Sequence, residues 1–227
     1  MTAAHPDHTI TLLVAKGGEL AWLGHLDLAR SIERALRRAE FPLRFTEGFH
    51  KRTKMRLPEP LPLGVGSEAE RYVVHFAAHV DASEVTARLA GRLPRGVEVL
   101  AALAGSHPER KDAPLTLELE AEVEAALQAA ISGLPTPLPT LSGAWSVVHP
   151  VTPMPAGGAI ARVLLEAPVG GRVSVGRFLE ALRAAVPGGL ALRAVTRRVA
   201  WQADLASLRS PARFVPDSPG EAGIRRE

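Results

Sequence analysis

The sequence predicts an α+β protein built of two tandem ferredoxin-like lobes, each running β-α-β-β-α-β around its own antiparallel sheet. Three observations carry that expectation. Hydrophobic periodicity switches between 2 and about 3.6 residues in the order of the split βαβ pattern. The same order recurs after a stretch of linker composition. In both halves a helix is released through proline and glycine into a strand, Pro94-Arg95-Gly96 into Val97-Glu98-Val99 and Pro187-Gly188-Gly189 into Leu190-Ala191-Leu192.

In the first lobe, Thr9 to Val14 is rich in β-branched residues and stops at Gly17-Gly18, which predicts a strand. From Leu26 the period becomes helical. Leu28, Ile32, Ala35, Leu36 and Ala39 share a face, Asp27 sits in the first turn where the helix dipole favours an anion, and Phe41-Pro42 ends the run. Leu43 to Thr46 reads as the second strand and Arg71 to Phe76 as the third. Asp81 opens the next helix with Glu84 at capping-box spacing, and Val97 to Leu100 closes the lobe.

In the second lobe, Leu115 to Ala121 alternates as a strand, Val123 to Ile131 is helical, and Ser146 to Val151 and Arg162 to Ala167 are strands. Val173 to Val186 is an amphipathic helix and Leu190 to Trp201 the closing strand. The expected organisation is therefore a lobe over 1–103, a linker over 104–114, a lobe over 115–203, and a disordered, proline-bearing tail over 204–227.

With 227 residues, 46% of them hydrophobic, the chain can bury a substantial core. The absence of cysteine removes disulfides, thiolate nucleophiles, iron–sulfur ligation and cysteine-bound zinc. His5 and His8 lack a carboxylate framework, so no metal and no cofactor are expected. There is no Walker loop, no Gly-x-Ser-x-Gly elbow and no His-Glu-x-x-His. No apolar run is long enough to span a bilayer and the first residues do not resemble a signal peptide, so the expected location is cytoplasmic, away from membranes.

Charge is concentrated. Between His25 and Arg56 stand nine basic residues against four acidic ones, so that block is +5 in a chain whose net charge is +3. A block of one sign makes a local field that attracts phosphates. Arg30, Arg34, Arg37 and Arg38 fall on one helical stripe, either a solvated face with Glu33 pairing locally or a phosphate contact. The stretch Glu47-Gly48-Phe49-His50-Lys51-Arg52-Thr53-Lys54-Met55-Arg56 runs into the proline-rich Leu57 to Gly64, which should hold its shape without regular pairing. Lys51, Arg52, Lys54 and Arg56 could contact a sugar–phosphate backbone while Phe49 stacks on a base. His25 stands at a helix start, where it could cap the helix or receive an anion. His25 and His50 would be the acid and base if the chain cleaved RNA.

Four segments, Leu23-Gly24-His25-Leu26-Asp27-Leu28, Ile32 to Ala39, Phe45-Thr46-Glu47-Gly48-Phe49-His50 and Leu61-Pro62-Leu63-Gly64-Val65-Gly66-Ser67-Glu68-Ala69-Glu70, resemble the successive motifs of the radical-SAM-linked protein family, a domain of unknown function. The resemblance spans roughly residues 9 to 200 and is densest from 20 to 72. It implies an accessory role beside a separate radical SAM protein, and a shared surface containing His25, Asp27, Glu47, Gly48, Phe49, Pro62 and Gly64. Two departures stand out. Gly24 replaces the family's usual serine, and His50-Lys51-Arg52-Thr53 replaces its Asn-Pro-Arg-Pro, leaving Arg52 at the family's basic position. The functional expectation is an RNA-binding or RNA-presenting accessory protein. The alternatives are a metal-independent endoribonuclease of tandem ferredoxin-like type and a protein-only interaction module.

Overall fold

The computed structural model describes residues 8–108, 114–135, 138, 143–167 and 171–198. The expected tail, residues 109–113 of the expected linker and residues 199–203 at the end of the expected second lobe lie outside the described residues. In chain order the elements are β1 (His8–Lys16), a 3-10 helix (Gly18–Trp22), α1 (His25–Arg38), β2 (Met55–Arg56), β3 (Val65–Phe76), α2 (Ala82–Leu89) and β4 (Val97–Ala104). The second half supplies β5 (Leu115–Ala121), α3 (Glu124–Gly133), β6 (Ala144–Pro153), β7 (Ala159–Glu166), α4 (Val175–Ala184) and β8 (Leu192–Arg198).

Instead of two separate sheets there is one of eight strands, ordered β4-β1-β3-β8-β5-β7-β6, with β2 also on β3. Its pairs are antiparallel except where the halves meet. There Val65, Gly66 and Ser67 of β3 lie parallel to Val195, Thr196 and Arg197 of β8. β2 pairs with Val73 and Val74 of the same strand, so β2 and β8 lie along β3 towards its opposite ends.

Two apolar cores lie against this sheet. Ile10, Leu12 and Val14 of β1 and Tyr72, Val74 and Phe76 of β3 pack with Leu28, Ile32 and Leu36 of α1 and Val85 and Leu89 of α2. The alternation that put those residues on one face is the period of a strand, and the three α1 leucine and isoleucine positions recur at the period of a helix. The second core joins Leu117, Leu119, Val163 and Leu165 to Leu127 and Ile131 of α3 and Phe178, Leu179 and Leu182 of α4. Val65, from the first half of the chain, belongs to this second core.

Three local expectations change. Leu43 to Thr46 forms no strand; only Leu43 and Phe45 make isolated bridges, to Phe76 and Thr53. The pairing falls instead to Met55 and Arg56, at the end of the basic stretch. β3 starts at Val65, not Arg71, because Ser67 and Glu70 are buried polar residues that break the apolar alternation. Asp81 does cap α2, but through the Ser83 N–H at 3.0 Å and the Ser83 hydroxyl at 2.8 Å, while Glu84 pairs with Arg88.

Candidate functional site

Most of the arginine stripe on α1 is spent within the protein. Arg30 reaches Asp27 at 2.8 Å and Arg37 reaches Glu33 at 2.7 Å, both one turn away. Arg34 donates to the Ser31 hydroxyl at 3.4 Å, and Arg38 donates to the Arg92 carbonyl at 2.7 Å. Arg37 also lies over the Phe45 ring, 5.1 Å from its centre. The four side chains remain exposed at the surface, yet each is held by a neighbour.

The loop that follows is different. Its base is fastened by the Thr46 N–H to the Arg52 carbonyl at 2.8 Å and by the Arg52 N–H to the Thr46 hydroxyl at 3.1 Å. Below these, the buried Thr53 donates its N–H (3.2 Å) and its hydroxyl (3.0 Å) to Glu33 of α1. Burial alone would raise the Glu33 carboxyl, but the two Thr53 donors and Arg37 bring it below the usual carboxylate range. Above this tie, Glu47, Gly48, Phe49, His50, Lys51 and Arg52 are all exposed, and Phe49 is fully in solvent at 105% of its reference surface. Among the described residues Lys51, Arg52 and Arg56 have no acidic partner. Lys54 is half-buried and engaged with a neighbour.

A second constellation lies where the halves join. Lys16 stands opposite Ser67, and Ser67 opposite Arg197, so the three side chains share one face across β1, β3 and β8. Between Val14 and Lys16 the register slips, because Glu68 and Ala69 together oppose Ala15. This bulge puts Glu70 on the same face as Ser67, although the two are three residues apart. All four are buried. The Tyr72 hydroxyl donates to Glu70 at 2.9 Å, and burial followed by the Glu70 charge pushes that phenol far up. Burial also lowers the Arg197 guanidinium, against the pull of Glu70. Among the described residues the Ser67 hydroxyl has no hydrogen-bond partner.

His25, the first residue of α1, is half-buried and within electrostatic reach of this seam. Burial lowers its pKa, Glu70 and Glu59 oppose that shift, and Lys16 adds to it. His50 stands in the exposed loop, so its surroundings are unlike those of His25. On the opposite face Arg198 joins Glu68 to Glu118, and Arg162 holds Glu118 at 2.7 Å. Burial would raise the Glu118 carboxyl, but the two guanidinium groups pull it below its ordinary value.

Pro62 and Gly64 make the turn into β3. The Gly64 N–H donates to the Ala21 carbonyl at 3.0 Å, and φ of +81° there suits glycine. A Cβ on Gly64 would sit 3.0 Å from the Trp22 ring, so the indole lies against the turn. Pro62, Gly64 and Trp22 line a cavity of about 510 Å³ together with Gly17 and Gly18, the start of β8 and one face of α4.

The family-like surface thus separates into two places, the loop with Glu47, Gly48 and Phe49, and the seam with His25, Pro62 and Gly64. Sequence reasoning missed Lys16, Ser67, Glu70, Tyr72 and Arg197. Ser67 and Glu70 stood inside the last quoted motif, and polar residues interrupting a strand pattern were the available signal. Lys16 and Arg197 gave none, since only the sheet order brings them there.

The family model for an uncharacterized protein conserved in bacteria (DUF2344) matches residues 10–131. The chain belongs to this DUF2344 family. The DUF2344 match covers the arginine helix, the loop and the whole of β3, and thus every site residue foreseen from the sequence. Among solved structures, the crystal structure of an unknown protein from Galdieria sulphuraria is 15% identical, covering 79% of this chain and 91% of that one at a TM-score of 0.26. No curated protein matches. No helix among the described residues is long and apolar enough to cross a membrane.

Proposed function

We propose that this DUF2344 protein is an RNA-contacting accessory protein of the cytoplasm, whose reading surface is the loop from Glu47 to Arg56 and whose partner is a separate radical SAM protein. The observation that carries the RNA reading is Phe49, wholly exposed at the tip of a loop whose base is fixed and flanked by His50, Lys51 and Arg52. An exposed ring beside cations without acidic partners has the composition of a stacking platform for single-stranded nucleic acid. The arginines of α1 contribute a surrounding positive field and leave direct contacts to the loop. The partner rests on the resemblance of the four quoted motifs to the radical-SAM-linked family. The strand orders β4-β1-β3-β2 and β8-β5-β7-β6 support reading the halves as tandem ferredoxin-like lobes fused through one sheet. The ribonuclease alternative gains no support, because His25 is half-buried and feels the charges of Glu70 and Lys16, while His50 stands in the exposed loop.

The test is fluorescence-anisotropy titration of labelled single-stranded RNA across a salt series. Wild type should bind with affinity that falls steeply as salt rises. Phe49→Ala should weaken binding by roughly 1–3 kcal/mol, and Lys51→Glu with Arg52→Glu should flatten the salt slope. Equal binding by all three proteins, or none at low salt, overturns the RNA reading and leaves the protein-only module.

A further inference from the structure

We propose that the cavity beneath β3 is a slot for an extended segment of a partner polypeptide, which would complete the sheet as an added strand. β3 separates β1 from β8, but it begins only at Val65, opposite Val195. On one side β8 starts three residues earlier, at Leu192, so Leu192, Arg193 and Ala194 lack a β3 partner on that edge. On the other, the β1 register with β3 ends at Lys16 and Ser67, and Gly17 and Gly18 lead away. The sheet therefore holds a notch where β3 has not begun, between the β8 edge and the residues that follow β1. The cavity is lined by both borders, by the Pro62–Gly64 turn above, and by Gly176, Leu179 and Arg183 of α4 on the helix side.

Three features fit a peptide. Its backbone is the one ligand that can satisfy successive N–H and C=O groups along a strand edge. Gly18 has open space where a Cβ would stand, which leaves room for a main chain to come close. Trp22 and Leu63, both at the slot, keep 69% and 63% of their surface in solvent, a cover that an apolar side chain of the guest would provide. The four charged lining residues Glu19, Glu180, Arg183 and Arg193 balance, which favours a guest with an uncharged centre. This site is separate from the loop assigned to RNA, so either can fail without the other.

The experiment titrates the full chain with a fluorescein-labelled peptide of about eight residues alternating threonine and valine, blocked at both ends, while following anisotropy. A second peptide of the same sequence carries N-methyl groups at alternate amides, which removes strand pairing and keeps the side chains. The expected result is saturable binding below about 1 mM that weakens at least about tenfold on methylation and equally in Trp22→Ala or Leu63→Arg. Circular dichroism shows whether those exposed substitutions leave the fold intact. Absence of binding, equal binding of the methylated peptide, or binding indifferent to both substitutions overturns the proposal.

Discussion

The two halves of the chain fill the same strand position very differently. In the second half that position is β6, ten residues long and paired with β7 from Ala144 to Pro153. In the first half it is β2, two residues long, helped by isolated bridges at Leu43 and Phe45. Between those bridges and β2 the chain leaves the sheet and raises the loop that carries Phe49. The comparison teaches that a strand's worth of pairing has been given up in one half, and that the exposed loop stands where it was lost. Loops on a rigid scaffold are where contacts with other molecules concentrate.

The strongest challenge to this comparison is a cut into the continuous half. Phe178 is fully buried beside Trp145, 5.8 Å between ring centres, and Phe178→Ala should destabilise the protein by about 3–5 kcal/mol in denaturant unfolding. Because Val65 lies in that same core, the loss should appear as one cooperative transition. Two well-separated transitions would show that the halves behave as independent units. Loosening the interrupted half should cost less. Glu33→Ala leaves the buried Thr53 without its two acceptor contacts, for about 1–3 kcal/mol, and should speed amide exchange in the loop while leaving β6 protected.

Smaller still is the effect of His25. Its folded pKa lies below the ordinary 6.5, so as pH falls the unfolded chain takes up the proton first. Stability should therefore decline below about pH 6.5, and His25→Asn should make that decline shallower in thermal melts taken from about pH 7 to about pH 5. An unchanged slope would remove His25 from the seam. At the far end, Phe49→Ala should alter stability by no more than about 0.5 kcal/mol, since its ring touches solvent alone; a larger loss would mean that the loop packs onto the fold.

Most elements were legible because their periods were clean. β5 matches its sequence reading residue for residue, and α1, α2 and α4 fall within a few residues of theirs. What escaped was long-range. Nothing in Leu190 to Trp201 says that the strand will lie beside Val65, some 130 residues earlier, and the single sheet follows from that one pairing. The bulge at Glu68 and Ala69 hid the first half of β3, because an extra residue inverts the alternation on which strand reading depends. The arginine stripe was visible as a pattern, and local pairing with Glu33 was one of its readings, but its long-range contact was not. Arg38, for example, reaches a carbonyl 54 residues away. The loop was legible as a candidate because its charge and glycine were contiguous.

β3 has a further consequence, for the order in which the protein can be made. As the chain is synthesised, β1, α1, β3, α2 and β4 all emerge before any residue of the second half, and their core can close from contacts within the first half alone. Val65 and Ser67 then wait at the end of a finished strand for β8, the last element among those described, to arrive. Closing so wide a loop is slow compared with folding the first half. During that interval the start of β3 is an unpaired edge, and a chain halted or truncated before Leu192 would keep that edge open to any other strand it met.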